Sequence, residues 1–111
     1  MVYIHLPGQH QPVQVDSIVW LKSEANYTWV YFLDGSSKII SQPLGWFEKK
    51  LDFIRIHRSS LANPVHVKHF SQKKSRTGSI ELVNGMTLMV SRNRLEHTVT
   101  RLKQISGLSR L

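Results

Sequence analysis

The chain has 111 residues, 41% of them hydrophobic, with ten aromatics and no cysteine, which supplies one packed core and excludes disulfides, thiolate metal sites and cysteine nucleophiles. No segment comes near the ~18 continuous apolar residues that span a bilayer, and Met1-Val2-Tyr3-Ile4-His5 lacks the basic start and long apolar run of a signal peptide, so a single soluble domain in the reducing cytoplasm is expected. The formal charge of +8 is unevenly placed: residues 55–111 hold eleven basic and two acidic side chains, a balance of +9, against four basic and five acidic in residues 1–54.

Ile18-Val19-Trp20-Leu21 and Tyr27-Thr28-Trp29-Val30-Tyr31-Phe32-Leu33 are short runs of β-branched and aromatic residues, which predicts strands. The second is apolar on both faces and is expected to be an inner strand. Asp34-Gly35 joins it to Lys38-Ile39-Ile40 as a type I′ hairpin, and Asn84-Gly85 joins Ile80–Val83 to Met86–Val90 in the same way. Between the hairpins, Ser41 is placed to cap a short helix from Pro43 to Leu51, with Leu44, Phe47 and Leu51 on one face and Gly45 as a weak point. Arg55–His57 and Val65–Phe70 read as further strands, and the polar stretch Ser71–Gly78 as a mobile loop. A last helix opens with Asn93 and Glu96 as a capping-box pair, lines up Leu95, Val99, Leu102 and Ile105, and is expected to fray after Ser106-Gly107. No internal repeat or linker divides the chain.

Catalytic constellations are poor, since none of the seven carboxylates falls in a spacing suited to acid-base work or metal binding. His66 and His69 stand three apart on an expected strand and so point to opposite faces, which argues against a metal pair. Basic and polar residues at strand ends suit a nucleic-acid partner better, because phosphate neutralisation with counterion release supplies sequence-independent affinity. They are Asn26-Tyr27, His57-Arg58-Ser59, Lys68 to Arg76, and Arg92 to Arg94. Each also has a plain structural reading. Arg58 could pair with Asp52 or Glu24, Asn26 could be a turn residue, Tyr27 a core aromatic, and Arg92 and Arg94 could extend into water beside a helix dipole that disfavours cations.

In order and spacing, Ile18-Val19-Trp20-Leu21, Glu24-Ala25-Asn26-Tyr27, Phe53-Ile54-Arg55-Ile56-His57-Arg58-Ser59, Leu61-Ala62-Asn63 and Val90-Ser91-Arg92 resemble the LytTR family across residues 10–105. The resemblance implies a mainly β fold, an elongated stack of small antiparallel sheets with a short helix and a C-terminal helix. It also implies a bacterial transcription regulator that reads duplex DNA through loops in the major groove. By position, base contacts would fall on Asn26, Tyr27, Arg58 and Arg92, with arginine favouring guanine and asparagine adenine. On charge alone, Lys68, Lys73, Lys74, Arg76 and Arg94 are assigned to phosphates, together with His57 and Ser59. The expected partner is double-stranded DNA with short repeated half-sites, with homodimerisation on DNA left open, and no cofactor, metal, membrane or small-molecule substrate is expected. The family commonly serves as the output domain of two-component systems behind a receiver domain, whereas here Met1 stands almost directly before the binding domain, so a free-standing regulator and a fragment are both compatible. Competing readings are a single-stranded nucleic-acid binder that stacks bases on Tyr27, Trp29 or Trp46, and a non-enzymatic adaptor for an acidic protein.

Overall fold

Apolar residues at successive positions in Ile18–Leu21, Val30–Phe32 and Leu61-Ala62 fall on both sides of their strands and force a sheet with two buried faces, and the rest of the chain is disposed to cover them. The computed structural model describes residues 2–106. It contains strands β1 (Tyr3–Ile4), β2 (Val13–Gln14), β3 (Ile18–Glu24), β4 (Tyr27–Phe32), β5 (Ser37–Ile40), β6 (Ile54–His57), β7 (Ser60–Ala62), β8 (Val67–Gln72), β9 (Gly78–Leu82) and β10 (Thr87–Val90), with helices α1 (Leu44–Lys50) and α2 (Leu95–Ser106). They form three antiparallel sheets, β1-β2, β10-β9-β8 and a central β5-β4-β3-β7-β6, in a body of 44 × 30 × 24 Å. The small antiparallel sheets and two helices agree with the expected class, and β4 is an inner strand as its apolar faces require.

Two apolar clusters lie on opposite faces of the central sheet. One joins Leu21, Val30 and Leu61 to Leu44 and Phe47 of α1, with Leu6 from the N-terminal segment fully buried among them. Packing therefore begins upstream of residue 10. The other joins Val19, Ile54 and Ile56 to Ile80, Leu82 and Val90 of the three-stranded sheet and Leu102 of α2. A bulge in β3 between Ile18 and Trp20 lets the consecutive Val19 and Trp20 both join the second cluster, while Ile18 and Leu21 join the first. Trp20 stacks on Tyr31 at 4.6 Å and 10° within the second. Asn63 is 2% exposed, and its amide donates to the Ile18 carbonyl at 2.8 Å while its oxygen accepts from the Val65 N–H at 3.2 Å. It is a structural bolt between β7 and the start of β3.

Local details depart from the sequence reading in several places, one being the loop expected over Ser71–Gly78, which is confined to residues 73–77 because β8 runs on to Gln72 and β9 begins at Gly78. The hairpins at Asp34-Gly35 and Asn84-Gly85 are three-residue loops with positive φ at the glycine alone (88° and 89°), not type I′ turns. In each, the glycine N–H reaches the carbonyl three residues back (Gly35 to Phe32 at 3.0 Å, Gly85 to Leu82 at 2.9 Å), the pattern of a type I turn closed by a glycine bulge. Asp34 Oδ1 accepts the Ser36 N–H at 2.9 Å and the Ser36 hydroxyl, which holds its carboxyl below the ordinary aspartate pKa. Ser41 does not cap α1, because Gln42 turns back, its N–H on the Ile40 carbonyl at 2.8 Å and its carbonyl accepting from the Thr28 hydroxyl at 2.7 Å, so the helix starts after Pro43. Asn93 and Glu96 form no capping box: Arg92–Arg94 is a 3-10 turn in which the Ser91 hydroxyl donates to Asn93 Oδ1 at 3.0 Å. Pro64–His66 is likewise a 3-10 turn, which delays β8 to Val67. The expected face of α2 is partly right, with Leu102 buried, Ile105 40% exposed and Thr98 fully buried in its stead. The expected fraying from Gly107 onward lies outside the described residues.

Candidate nucleic-acid interface

Antiparallel pairing fixes which turns meet. β3 and β4 are joined by the two-residue turn Ala25-Asn26, with Glu24 opposite Tyr27. The turn between β6 and β7 lies beside it, because the Ser23 N–H donates to the Ser59 carbonyl at 2.9 Å. The end of β10 is tied to β6 in turn, the Ser91 N–H donating to the Ile56 carbonyl at 2.9 Å, so Arg92 follows directly after that anchor. Arg92 then shares a shallow concavity with Gln72 and Arg76 of the β8–β9 hairpin and Leu95 and Glu96 of α2. Asn26, Arg58, Arg92 and Arg76 thus occupy consecutive neighbouring turns. At Gly78 an added Cβ would lie 3.0 Å from Leu95 Cδ1 and 3.1 Å from the Ser71 carbonyl oxygen, so this glycine lets α2 close onto the hairpin and completes that concavity.

The structural readings of these residues fare unevenly. Arg58 is exposed, and its side chain takes part in neither of the two ion pairs among the described residues. Both carboxylates open to it are committed elsewhere: Asp52 pairs with Arg101 at 2.9 Å, and Glu24 accepts the Trp29 indole N–H at 2.9 Å. Tyr27 is 47% exposed and is not a core aromatic. Arg92 is exposed and Arg94 half-buried, neither in an ion pair among the described residues. Trp29 is half-buried, and Trp46 packs edge-on against Phe47 at 4.9 Å. Of the three aromatics considered for base stacking, Tyr27 alone is exposed.

The phosphate candidates divide by position. Lys73, Lys74 and Arg76 are all exposed on the β8–β9 tip. Lys68 is exposed but sits in a bulge at the start of β8, five residues and about 17 Å of extended chain from Lys73 at that tip. It is not brought together with the others. His57 and Ser59 act first on their own turn. The Ser59 N–H donates to His57 Nδ1 at 3.2 Å and the Ser59 hydroxyl lies 2.9 Å from the same nitrogen, so the imidazole braces the turn.

The sequence reading missed two features. Arg55 is the first: its Nε donates to the His57 carbonyl at 2.9 Å, its Nη2 to the Arg58 carbonyl, and its Nη1 pairs with Glu48 of α1 at 2.6 Å. Its placement two residues before His57, on the same face of a strand, was the available clue. The second is backbone conformation. Ala25 has φ 53° and Arg76 φ 65°, a region that favours glycine. Around Arg76 the bonding repeats that of the two glycine hairpins, Arg76 N–H to Lys73 carbonyl at 3.1 Å and Lys73 N–H to Thr77 carbonyl at 2.8 Å. Three loops share one geometry, and one of them places an arginine where the others have glycine.

A family model described as the LytTr DNA-binding domain matches residues 9–103. The chain is 30% identical over 96 residues to the transcriptional regulatory protein LytR of Staphylococcus aureus, with the same figures in strains N315, NCTC 8325 / PS 47 and USA300. That match covers 77% of this chain and 39% of LytR. The fold is similar to a LytTr DNA-binding domain structure from Bacillus cereus, at TM-score 0.72 and 23% identity over 96% of each chain.

Proposed function

The chain belongs to the LytTR DNA-binding domain family, and from that premise we propose that it binds double-stranded DNA sequence-specifically as a regulator of bacterial transcription. Asn26, Tyr27, Arg58 and Arg92 read bases, and Lys73, Lys74 and Arg76 hold phosphates. The observation that carries this reading is the state of Arg58 and Arg92: both are exposed, free of ion pairs among the described residues, and mounted on adjacent turns pinned by backbone bonds. Loops held by a rigid frame are where binding residues concentrate. A cation whose neighbouring carboxylates are committed to other partners is ready for an external anion or a base edge. With a long dimension of 44 Å, the protein can follow one face of B-DNA across a helical turn of about 34 Å. It acts in the cytoplasm without enzymatic activity, and a homodimer on short repeated half-sites suits the family's regulators.

Selection from a random duplex pool, followed by titration of the recovered site, tests the proposal. A short repeated motif is expected. Arg58→Ala and Arg92→Ala should each cost about 1–3 kcal/mol on that site and relax preference at one base position, the worth of one bidentate arginine contact. Random duplex should be affected far less. A pool that yields no motif, or variants that lose thermal stability while keeping full base preference, would refute the assignment.

A further inference from the structure

Arg58 can read a base only if its Cα–Cβ direction is fixed, and that direction is set by the two peptide planes flanking its Cα. The plane before it ends in the His57 carbonyl and the plane after it in the Arg58 carbonyl. Arg55 donates to both, through Nε at 2.9 Å and through Nη2, while its Nη1 is held by Glu48 at 2.6 Å. The Arg55 side chain is 16% exposed and reaches neither Asn26 nor Arg92 by any bond among the described residues. We propose that Arg55 is the positioning residue of the interface, a three-way fork that aims Arg58 and is itself oriented by Glu48 from α1. This rests on the base-reading role given to Arg58 above.

The chemistry demands arginine. A planar guanidinium presents its donors in a fixed fork and can bind two carbonyls and a carboxylate at once, whereas a lysine ammonium is a single point on a flexible stem. Lysine at 55 would keep the charge and the pairing with Glu48, yet it would leave at least one flanking peptide plane free to rotate. The Ser23–Ser59 backbone bond and the His57–Ser59 contacts hold the far side of the turn, so the turn should survive with Arg58 less well aimed. Binding constellations lose function when displaced by more than about 0.5 Å.

The test is a double-mutant cycle of Arg55→Lys and Arg58→Ala, read as preference for the selected duplex over one changed at the base that Arg58 contacts, with thermal melts alongside. Arg55→Lys alone should reduce that preference by about fivefold or more, the lower end of one bidentate contact, and leave random-duplex affinity nearly unchanged. In the Arg58→Ala background it should have no further effect. Glu48→Gln should act in the same direction, more weakly and with the same dependence on Arg58, and it carries the test if Arg55→Lys fails to fold. An unchanged preference, or an equal loss with and without Arg58, overturns the inference while leaving base reading by Arg58 intact. Full preference in Arg58→Ala itself would instead remove the base-reading assignment, and the positioning role with it.

Discussion

Arg76→Gly should make the protein more stable and a weaker DNA binder. At φ 65° an L-residue bears a cost of about 1–2 kcal/mol that glycine does not. Glycine returns part of this by loosening the unfolded chain, about 0.4–1 kcal/mol, so the net gain is about 0.5–1 kcal/mol. With an unfolding entropy of about 2.1 cal/mol/K per residue, this corresponds to a rise in Tm of about 2–4 °C. Arg76 is exposed and free of ion pairs among the described residues, so no compensating contact is lost on truncation. On DNA, the loss of one phosphate contact should make the slope of log K against log salt shallower by about 0.9. Cognate and random duplexes should weaken by the same factor.

Thermal melts and titrations at several ionic strengths measure both quantities. The reciprocal change, Gly35→Arg in a loop of the same geometry away from the interface, should lower Tm by a similar amount and leave the salt slope lower by none. A fall in Tm for Arg76→Gly would refute the strain, and an unchanged salt slope would take Arg76 off the DNA path.

Two further outcomes follow from the same geometry. Lys73→Ala with Lys74→Ala should weaken cognate and random duplexes alike and flatten the salt dependence while preserving sequence preference; a loss confined to the cognate site in titrations would mean that this tip reads bases. Asn63→Ala should cost about 2–4 kcal/mol, because the Ile18 carbonyl and Val65 N–H lose their buried partner, and a Tm lowered by roughly 10 °C or more in a thermal melt is the expected readout.

Two of the hairpins and their strands were legible because they rest on local patterns: the apolar runs of β3 and β4, and the glycines of the loops at Asp34-Gly35 and Asn84-Gly85. Turn type was not, since Asp34-Gly35 suits both a type I′ turn and a glycine bulge, and the choice depends on how β4 and β5 register. The start of α1 was read within a residue but its cap was not, because the buried Thr28 hydroxyl claims the Gln42 carbonyl across 14 residues and Ser41 is left outside the helix. Leu6 escaped notice for a related reason, as an isolated leucine between polar neighbours acquires its buried place only when β1 pairs with β2. Among the site residues, charge and strand-end position singled out Arg58, Arg92 and the Lys73–Arg76 tip. The same reasoning grouped Lys68 with that tip, although that lysine lies at the opposite end of β8. It passed over Arg55, whose role depends on carbonyl directions that no residue pattern encodes.

Backbone strain offers a pointer to the interface that is independent of charge. Among the described residues, the two non-glycine residues with positive φ are Ala25 and Arg76, and each sits in a turn that charge and family position had marked for DNA. Where a loop has only to close, at Leu33–Gly35 and Val83–Gly85, the chain uses glycine and relaxes. Where a loop must present a neighbour, it accepts about 1–2 kcal/mol of strain. For Arg76 the strained residue is itself the cation. For Ala25 it is the residue preceding Asn26, and a Cβ at that position narrows the conformations open to the turn relative to glycine, so that under the proposed function Asn26 would meet a base with less freedom left to lose. Such strain persists only where surrounding structure over-determines the backbone. Here the paired strands β3-β4 and β8-β9 supply that constraint from both sides of each turn.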